Sequence, residues 1–155
     1  MKLQKQRINL SVFVVFALLP CLLFPSLAFA EFRSVSVPKA ILYDSPSPQG
    51  NKLFILSQGY PVDALVVLAD WIKVRDKQGA LSWIEAKQLS NNRTLLVTAS
   101  SVEVKQAPDL VSPLVGRLEK DVVVDFVESA KAGWVKIKHR DGLVGFIQTS
   151  AVWGF

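Results

Sequence analysis

Two stretches of the chain share one alternation of apolar and polar positions. The first runs from Trp71 to Ile84 and the second from Trp134 to Ile147. Each stretch begins with a tryptophan, alternates basic with branched apolar residues, turns at a glycine and ends in an aromatic residue followed by isoleucine. A period of two places successive side chains on opposite faces of a β-strand. Each stretch is therefore predicted to be a β-hairpin with one buried face.

The repetition extends beyond the hairpins. Residues 33–89 align with residues 93–152, and we call the two repeats, together with the residues that flank them up to 31–90 and 91–155, the first copy and the second copy. Each copy is predicted to contain about five short strands, with turns at glycine and proline and no segment of helical period. Short 3₁₀ turns are expected near residues 86–88 and 149–150. So many short strands in about 60 residues predict a small β-barrel, in which closure removes exposed sheet edges.

The predicted fold class is all-β, with two tandem small β-barrels after an N-terminal signal peptide. Residues 1–30 are predicted to be the signal peptide, residues 31–90 the first barrel and residues 91–155 the second. The joint Ser90-Asn91-Asn92 is polar and short. This joint favours two barrels that touch over two that move independently.

The N-terminal segment has the three parts of a secretory signal. A basic start is followed by an apolar run over residues 8–24, and Ala28-Phe29-Ala30 provides the small residues of a cleavage site before Glu31. The protein is therefore predicted to be periplasmic or secreted, with cleavage after Ala30 and no stable membrane span afterwards. The alternative is a membrane anchor formed by an uncleaved N-terminal helix. Residues 8–29 are just long enough to cross a bilayer, which needs about 20 apolar residues.

Most of the net positive charge of the chain belongs to the predicted signal peptide. The formal charge of the whole chain is +5, and three of the positive charges belong to Lys2, Lys5 and Arg7 in a segment without acidic residues. The remaining +2 is ordinary for a small protein, so a nucleic acid partner is not predicted.

Composition leaves few options for catalysis. The single cysteine, Cys21, lies in the predicted signal, so the mature chain is expected to have neither a disulfide nor a thiol nucleophile. His139 is the single histidine, and no second ligand or marked serine suggests a metal centre or a hydrolytic triad. We therefore predict no enzyme activity, no catalytic residues, no metal site and no cofactor.

Several motifs, in this order, resemble the bacterial SH3 (SH3b) domain family in its tandem, exported form found in proteobacteria. They are the loop Leu42-Tyr43-Asp44-Ser45-Pro46-Ser47, the strand after Gly59, the Trp-x-Lys-Val-Arg segment from Trp71 and the ending Ala151-Val152-Trp153-Gly154-Phe155. The resemblance covers residues 33–154 and implies that both barrels are SH3-like. It also implies a binding or targeting role without catalysis.

The resemblance implies a ligand groove on the first copy. In SH3 domains, a tryptophan at the position of Trp71 lines a shallow groove and faces an aromatic residue at the position of Tyr43. Trp83, at the end of the second hairpin strand, is a further candidate for the border of this groove, with packing inside or between the barrels as its alternative. Trp134 is the matching candidate in the second copy, but Lys105 stands there in place of Tyr43. A flat aromatic ring can stack on a proline ring or a sugar face. The alternative is that these aromatic residues pack inside or between the barrels.

A possible basic stripe is the other candidate surface. Its members are Lys73 and Arg75 in the first copy and Lys136 and Lys138 in the second. An acidic partner would suit such a surface, although a solvated strand face has the same pattern.

The leading functional prediction is an exported, non-enzymatic module that binds a peptide, a partner protein or peptidoglycan in the periplasm or cell envelope. The second is a structural or scaffolding envelope protein whose aromatic residues are buried between the barrels. The third is an accessory to a cell-wall enzyme.

Overall fold

The computed structural model describes residues 31–155, and the predicted signal peptide with Cys21 lies outside the described residues. Within residues 31–155 the chain forms fourteen strands and two short 3₁₀ turns, at Ala86–Gln88 and Thr149–Ala151. Both turns lie where the sequence predicts them. The predicted all-β fold in two tandem units is confirmed.

The first copy forms one antiparallel sheet of seven strands, in the order β3-β2-β6-β5-β4-β1-β7. The sequence predicts about five strands, and the structure has seven. The N-terminal strand β1 pairs with both β4 and the short strand β7, which extends the sheet. The hydrogen-bonded series starts at β3 and ends at β7. Closure into a barrel therefore stays a prediction. The strands are β1 (Glu31–Val35), β2 (Lys39–Tyr43), β3 (Lys52–Ser57), β4 (Pro61–Leu68), β5 (Trp71–Arg75), β6 (Leu81–Glu85) and β7 (Leu89–Ser90).

The second copy repeats this topology strand for strand, in the order β10-β9-β13-β12-β11-β8-β14. All of its strand pairs are antiparallel. The duplication in sequence is thus a duplication of architecture. The strands are β8 (Thr94–Val97), β9 (Ser101–Lys105), β10 (Leu114–Glu119), β11 (Val123–Ser129), β12 (Trp134–Lys138), β13 (Val144–Gln148) and β14 (Val152–Trp153).

Each sheet has its own apolar core. In β5, Ile72 and Val74 are fully buried while Lys73 and Arg75 keep contact with solvent, as the alternation predicts. The second core repeats this with Val135 and Ile137. The fully buried members of the first core include Ala40, Val62 and Ile84, and those of the second include Leu95, Val97, Val104 and Ile147.

The turn of the first predicted hairpin is fixed by a side chain and a glycine. The Asp76 carboxylate accepts hydrogen bonds from the backbone N–H groups of Gln78 and Ala80, both at 2.9 Å. Gly79 has φ +87°, a left-handed conformation that strains any residue with a Cβ. This turn sets the register of β5 against β6, and that register places the side chains of the candidate site.

The two copies also contact each other. The rings of Phe32 and Trp153 meet edge to face, with 5.2 Å between their centroids. The Thr94 hydroxyl donates a hydrogen bond of 2.6 Å to the Gly59 carbonyl oxygen. Each contact joins a residue of the first copy to a residue of the second.

Candidate functional site

The predicted site residues of the first copy share one face of the sheet. Register places Trp71 opposite Glu85, Lys73 opposite Trp83 and Trp83 opposite Tyr43. Directly opposed residues of antiparallel strands project to the same side. Because the intervening residues of β5 fill the core, this face is the outer one.

Tyr43 and Trp71 are in direct contact. Their ring centroids are 5.2 Å apart and their planes are perpendicular, an edge-to-face geometry that aromatic pairs prefer. Tyr43 is only 6% exposed, whereas Trp71 is half-buried. Tyr43 therefore supports the indole from behind, and Trp71 offers most of the accessible aromatic surface.

The loop after Tyr43 is held by one carboxylate. Asp44 accepts hydrogen bonds from the Asn51 side chain at 2.7 Å, from the Asn51 backbone N–H at 3.0 Å and from the Ser45 hydroxyl at 3.0 Å. The bond from the Asn51 side chain, followed by that from Ser45, lowers the pKa of Asp44. These bonds close the loop that carries Pro48 towards Trp71.

A cleft of about 370 Å³ opens beside Trp71. It contains a charged pair, since the Lys87 ammonium lies 2.7 Å from a Glu85 carboxylate oxygen. The hydrogen bond and the charge of Glu85 raise the pKa of Lys87, and the charge of Asp70 adds to the shift. Its lining is Pro48, Asp70, Trp71, Glu85, Ala86 and Lys87. We call this feature the Trp71 cleft.

The turn before Trp71 shapes one side of the cleft. Ala69 has φ +49°, in the left-handed region, and Asp70 follows it directly. The Asp70 carbonyl oxygen accepts a hydrogen bond of 2.7 Å from the Ala86 backbone N–H. This bond ties the β4–β5 turn to the end of β6, so Asp70 and Glu85 flank the same indole.

The equivalent place in the second copy has different chemistry. Trp134 is 6% exposed and offers little surface to a ligand. Lys105 occupies the position of Tyr43, Gly133 that of Asp70 and Gln148 that of Glu85. The combination of an accessible tryptophan with two carboxylates thus belongs to the first copy.

The predicted basic residues of the first copy are engaged with neighbours. The Lys73 ammonium lies 5.9 Å from the centre of the half-buried Trp83 ring. Arg75 donates two hydrogen bonds, of 2.6 and 3.0 Å, to one carboxylate oxygen of the buried Asp63. These contacts reduce the positive charge that the stripe offers to a partner.

The second copy repeats this arrangement in part. Lys136 lies 5.8 Å from the Phe146 ring centre and 3.2 Å from a Glu128 carboxylate oxygen. Lys138 is exposed and stands opposite Asp125 on the neighbouring strand. The basic stripe stays a prediction, and Arg75, Lys136 and Lys138 each stand opposite an acidic residue of a neighbouring strand.

Residues 31–155 contain no group of three His, Cys, Asp or Glu side chains arranged to hold a metal ion. His139 lies against Asp141, with 2.7 Å between its ring nitrogen and a carboxylate oxygen. The backbone N–H of Leu143, followed by His139, lowers the pKa of Asp141. No helix in this part of the chain is long and apolar enough to cross a membrane.

Sequence reasoning missed the charged side of the cleft. Pro48, Asp70, Glu85 and Lys87 are scattered over three segments, and none belongs to a recognisable motif. The hairpin does contain one signal. Counting back from the Gly79 turn pairs Trp71 with Glu85, which places a carboxylate beside the indole.

A family model described as bacterial SH3 domain matches the chain twice, over residues 36–91 and 99–154. The chain belongs to this family. The tandem SH3 resemblance seen in the sequence is therefore confirmed, with one match in each copy. Among curated proteins, no significant match to the chain is found.

Three solved structures are similar to the chain at low identity. NlpC2 from Trichomonas vaginalis is 16% identical with a TM-score of 0.38, covering 83% of this chain and 49% of that one. NlpC1 from the same organism is 17% identical with a TM-score of 0.38, covering 82% and 46%. An NlpC/P60 family protein from Bacillus cereus is 14% identical with a TM-score of 0.37, covering 79% and 55%. The chain spans about half the length of these structures.

Proposed function

We propose that this bacterial SH3 protein is an exported, non-catalytic binding module of the cell envelope. Its ligand is a peptide, a partner protein or peptidoglycan, and it binds in the Trp71 cleft. The observation that carries the proposal is the indole of Trp71, which is supported by Tyr43 and borders an open cleft. A supported, flat aromatic surface binds extended peptides or sugars with little loss of side-chain entropy.

Export is part of this proposal. It rests on the basic start, the apolar run and the small residues before Glu31 in the sequence. Mass spectrometry of the protein expressed with residues 1–30 in place is expected to give Glu31 as the first residue. An intact N-terminus in the membrane fraction would support the anchored alternative.

Capture from envelope extract and on purified peptidoglycan tests the binding proposal. Trp71→Ala is expected to abolish enrichment and to leave the fold intact, because Trp71 is a half-buried surface residue. Trp71→Phe keeps an apolar ring against Tyr43 and shrinks the stacking surface, so it is expected to bind weakly. Equal enrichment of bound material by wild type and Trp71→Ala, or no enrichment from either source, would contradict the proposal.

A structural role is the second candidate. The burial of Trp134 and the contact between Phe32 and Trp153 favour it, because both place aromatic residues in packing positions. Trp134→Ala is expected to cost about 3–5 kcal/mol of stability, as for other buried aromatic residues. If the protein has only a structural role, wild type and Trp71→Ala are expected to capture the same amount of material from envelope extract and peptidoglycan. If captured material proves to be a wall-cleaving enzyme, the accessory role replaces the structural one.

A further inference from the structure

A second cleft lies where the two copies meet. Its volume is about 400 Å³, and its lining differs from that of the Trp71 cleft. The first copy contributes most of the lining, and the second copy contributes Trp153 of β14. We call this feature the Trp153 cleft. Its lining includes Phe32, Asp63, Arg75, Asp76, Lys77 and Trp153.

Strand register brings three of these side chains together on one face of the first sheet. Phe32 of β1 stands opposite Asp63 of β4, and Asp63 stands opposite Arg75 of β5. Directly opposed residues of antiparallel strands project to the same side. The Trp153 ring comes from the second copy and meets the Phe32 ring edge to face, with 5.2 Å between the centroids. The cleft therefore combines an aromatic wall with a carboxylate.

Two polar atoms of the lining are buried without a hydrogen-bond partner among residues 31–155. One is Oδ1 of Asp63, whose side chain is 4% exposed, because Arg75 donates both of its hydrogen bonds to the other oxygen, Oδ2. The second atom is Nε1 of Trp153. Buried polar atoms are rarely left unpaired, since each has lost its hydrogen bonds to water. An acceptor from one copy and a donor from the other thus belong to the same cleft.

The size and the charge of the cleft limit what can pair with these two atoms. A single water molecule takes up about 30 Å³, so a cleft of about 400 Å³ has room for a larger group. This volume lies within the range of about 300–1,000 Å³ that is usual for small-molecule sites. The lining carries the carboxylates of Asp63 and Asp76 and the cations of Arg75 and Lys77. Because these charges balance, an uncharged ligand is favoured over an ion.

We propose that the Trp153 cleft binds one ring of a neutral sugar. A hydroxyl group both donates and accepts hydrogen bonds, so one hydroxyl donates to Oδ1 of Asp63 and its neighbour accepts from Nε1 of Trp153. The flat C–H face of the sugar ring packs on the aromatic wall. Both polar atoms are covered before binding, and the exposed Arg75 side chain turns outward to admit the ring. This site goes beyond the proposed function, because it lies outside the Trp71 cleft and requires both copies.

The fold favours a sugar over a peptide at this place. A peptide amide also offers one donor and one acceptor, but extended peptides bind sheets by pairing with an open edge strand. Strands β1, β4 and β5 each pair with a neighbour on both sides. Their backbone groups are therefore already engaged, and the cleft offers a ligand the side chains of a sheet face.

The equivalent positions of the second copy do not form a matching site. Thr94 stands opposite Asp125 there, as Phe32 stands opposite Asp63, and Asp125 is exposed. Ser90 of β7 occupies the position that Trp153 has in β14. The aromatic wall and the buried carboxylate thus occur together once, which predicts one sugar ring per chain.

The test is a titration of the purified protein, expressed with residues 1–30 in place, with uncharged probes. Cellobiose and N,N′-diacetylchitobiose supply sugar rings, and sorbitol supplies the hydroxyls of a sugar without a ring. Acetylated and amidated Gly-Gly-Gly supplies peptide amides. The readout is the indole N–H signal of Trp153 in NMR spectra, which is identified by its loss in Trp153→Phe. At least one disaccharide is expected to shift this signal until it saturates, and sorbitol is expected to leave it unchanged at the same concentration.

Variants locate the binding. Trp153→Phe keeps an aromatic ring against Phe32 and removes the indole donor, so it is expected to weaken disaccharide binding about two- to tenfold, the range of one hydrogen bond. Binding by this variant is followed through the backbone N–H signal of Gly79, which also lines the cleft. Trp83→Phe is the matched control, because Trp83 is a half-buried indole outside the cleft. Trp71→Ala is likewise expected to leave disaccharide binding unchanged.

Four results would overturn this site. They are no shift of the Trp153 signal by either disaccharide, an equal shift by sorbitol, a larger shift by the glycine peptide, and equal disaccharide affinity of wild type and Trp153→Phe. The glycine peptide result would assign the cleft to peptide amides instead. Envelope capture that depends on Trp71 is measured separately, so the proposed function and the sugar site can fail independently.

Discussion

Asp44 shows how one carboxylate organises the loop that borders the Trp71 cleft. It accepts three hydrogen bonds from Asn51 and Ser45, although it is itself exposed. Such bonds favour the ionised form, and the pKa of Asp44 is lowered accordingly. The charge state of this residue is thus linked to the folded state of the loop.

Linkage gives this residue a testable pH dependence. Because the pKa of Asp44 is lower in the folded protein, its stabilising contribution is present above the pKa of an unfolded aspartate, about 3.9. The contribution is lost as pH falls through the lower folded value. The difference in thermal stability between wild type and Asp44→Asn is therefore expected to shrink from about pH 6 to about pH 2.

Thermal unfolding followed by circular dichroism measures this difference. Glu119→Gln is the control, since Glu119 is an exposed carboxylate far along the chain from the loop. A stability difference for Asp44→Asn that stays constant over the whole pH range would contradict the linkage.

The edge strands β3 and β10, which correspond to each other in the two copies, differ in how they are protected against pairing with other chains. In β3, Leu53, Phe54 and Ile55 are all exposed, and Ile55 reaches 65%. Ile55 stands opposite Ile41, whereas the second copy has an Arg117–Glu103 ion pair of 3.0 Å at the same register. Charged residues on an edge strand oppose pairing with other chains. The edge of the first copy lacks that protection.

Placing an arginine on β3, as β10 has at Arg117, tests whether the uncharged edge promotes self-association. Ile55→Arg is expected to reduce self-association at high protein concentration, because it places a charge on an open edge. Stability is expected to change by less than about 0.5 kcal/mol, since Ile55 is largely exposed. Light scattering on a sizing column measures the association, and thermal unfolding measures the stability.

A matched variant controls for added charge. Val111 is 88% exposed in a loop, so Val111→Arg adds the same charge away from the edge strand. If both variants reduce association equally, net charge is the cause and the edge has no special role.

How much of this could be predicted from the sequence depends on the range of the interaction. The inward direction of Ile72 and Val74 follows from local alternation, and the sequence also predicts the 3₁₀ turn at Ala86–Gln88. The meeting of Glu85, Lys87 and Pro48 beside Trp71 depends on strand register and on a loop closed by Asp44. Such non-local geometry leaves no periodic signal in the chain.

At the scale of the whole molecule, the two copies meet through close contacts. Lys77 of the first copy forms an ion pair with Asp121 of the second, and this contact lowers the pKa of Asp121. Gly154 has φ +105°, and a Cβ there would lie 3.1 Å from Pro61 of the first copy. Both backbone and side chains of the two copies therefore pack closely where the copies meet, and we call this region the junction. The division into units of 31–90 and 91–155 stays a prediction about folding.

The buried hydrogen bond from Thr94 to Gly59 provides the means to test how strongly the units are coupled. Thr94 is 6% exposed, so Thr94→Val leaves the Gly59 carbonyl without its donor inside the junction. An unsatisfied buried acceptor costs about 1–3 kcal/mol.

We expect wild type to unfold in one transition whose calorimetric and van't Hoff enthalpies agree, and Thr94→Val to unfold at lower temperature with the two enthalpies no longer equal. Thr98→Val is the matched control, because Thr98 is exposed and its side chain crosses no junction. Two separate transitions in the wild-type protein would mean that the copies fold independently and that their contacts only set their orientation.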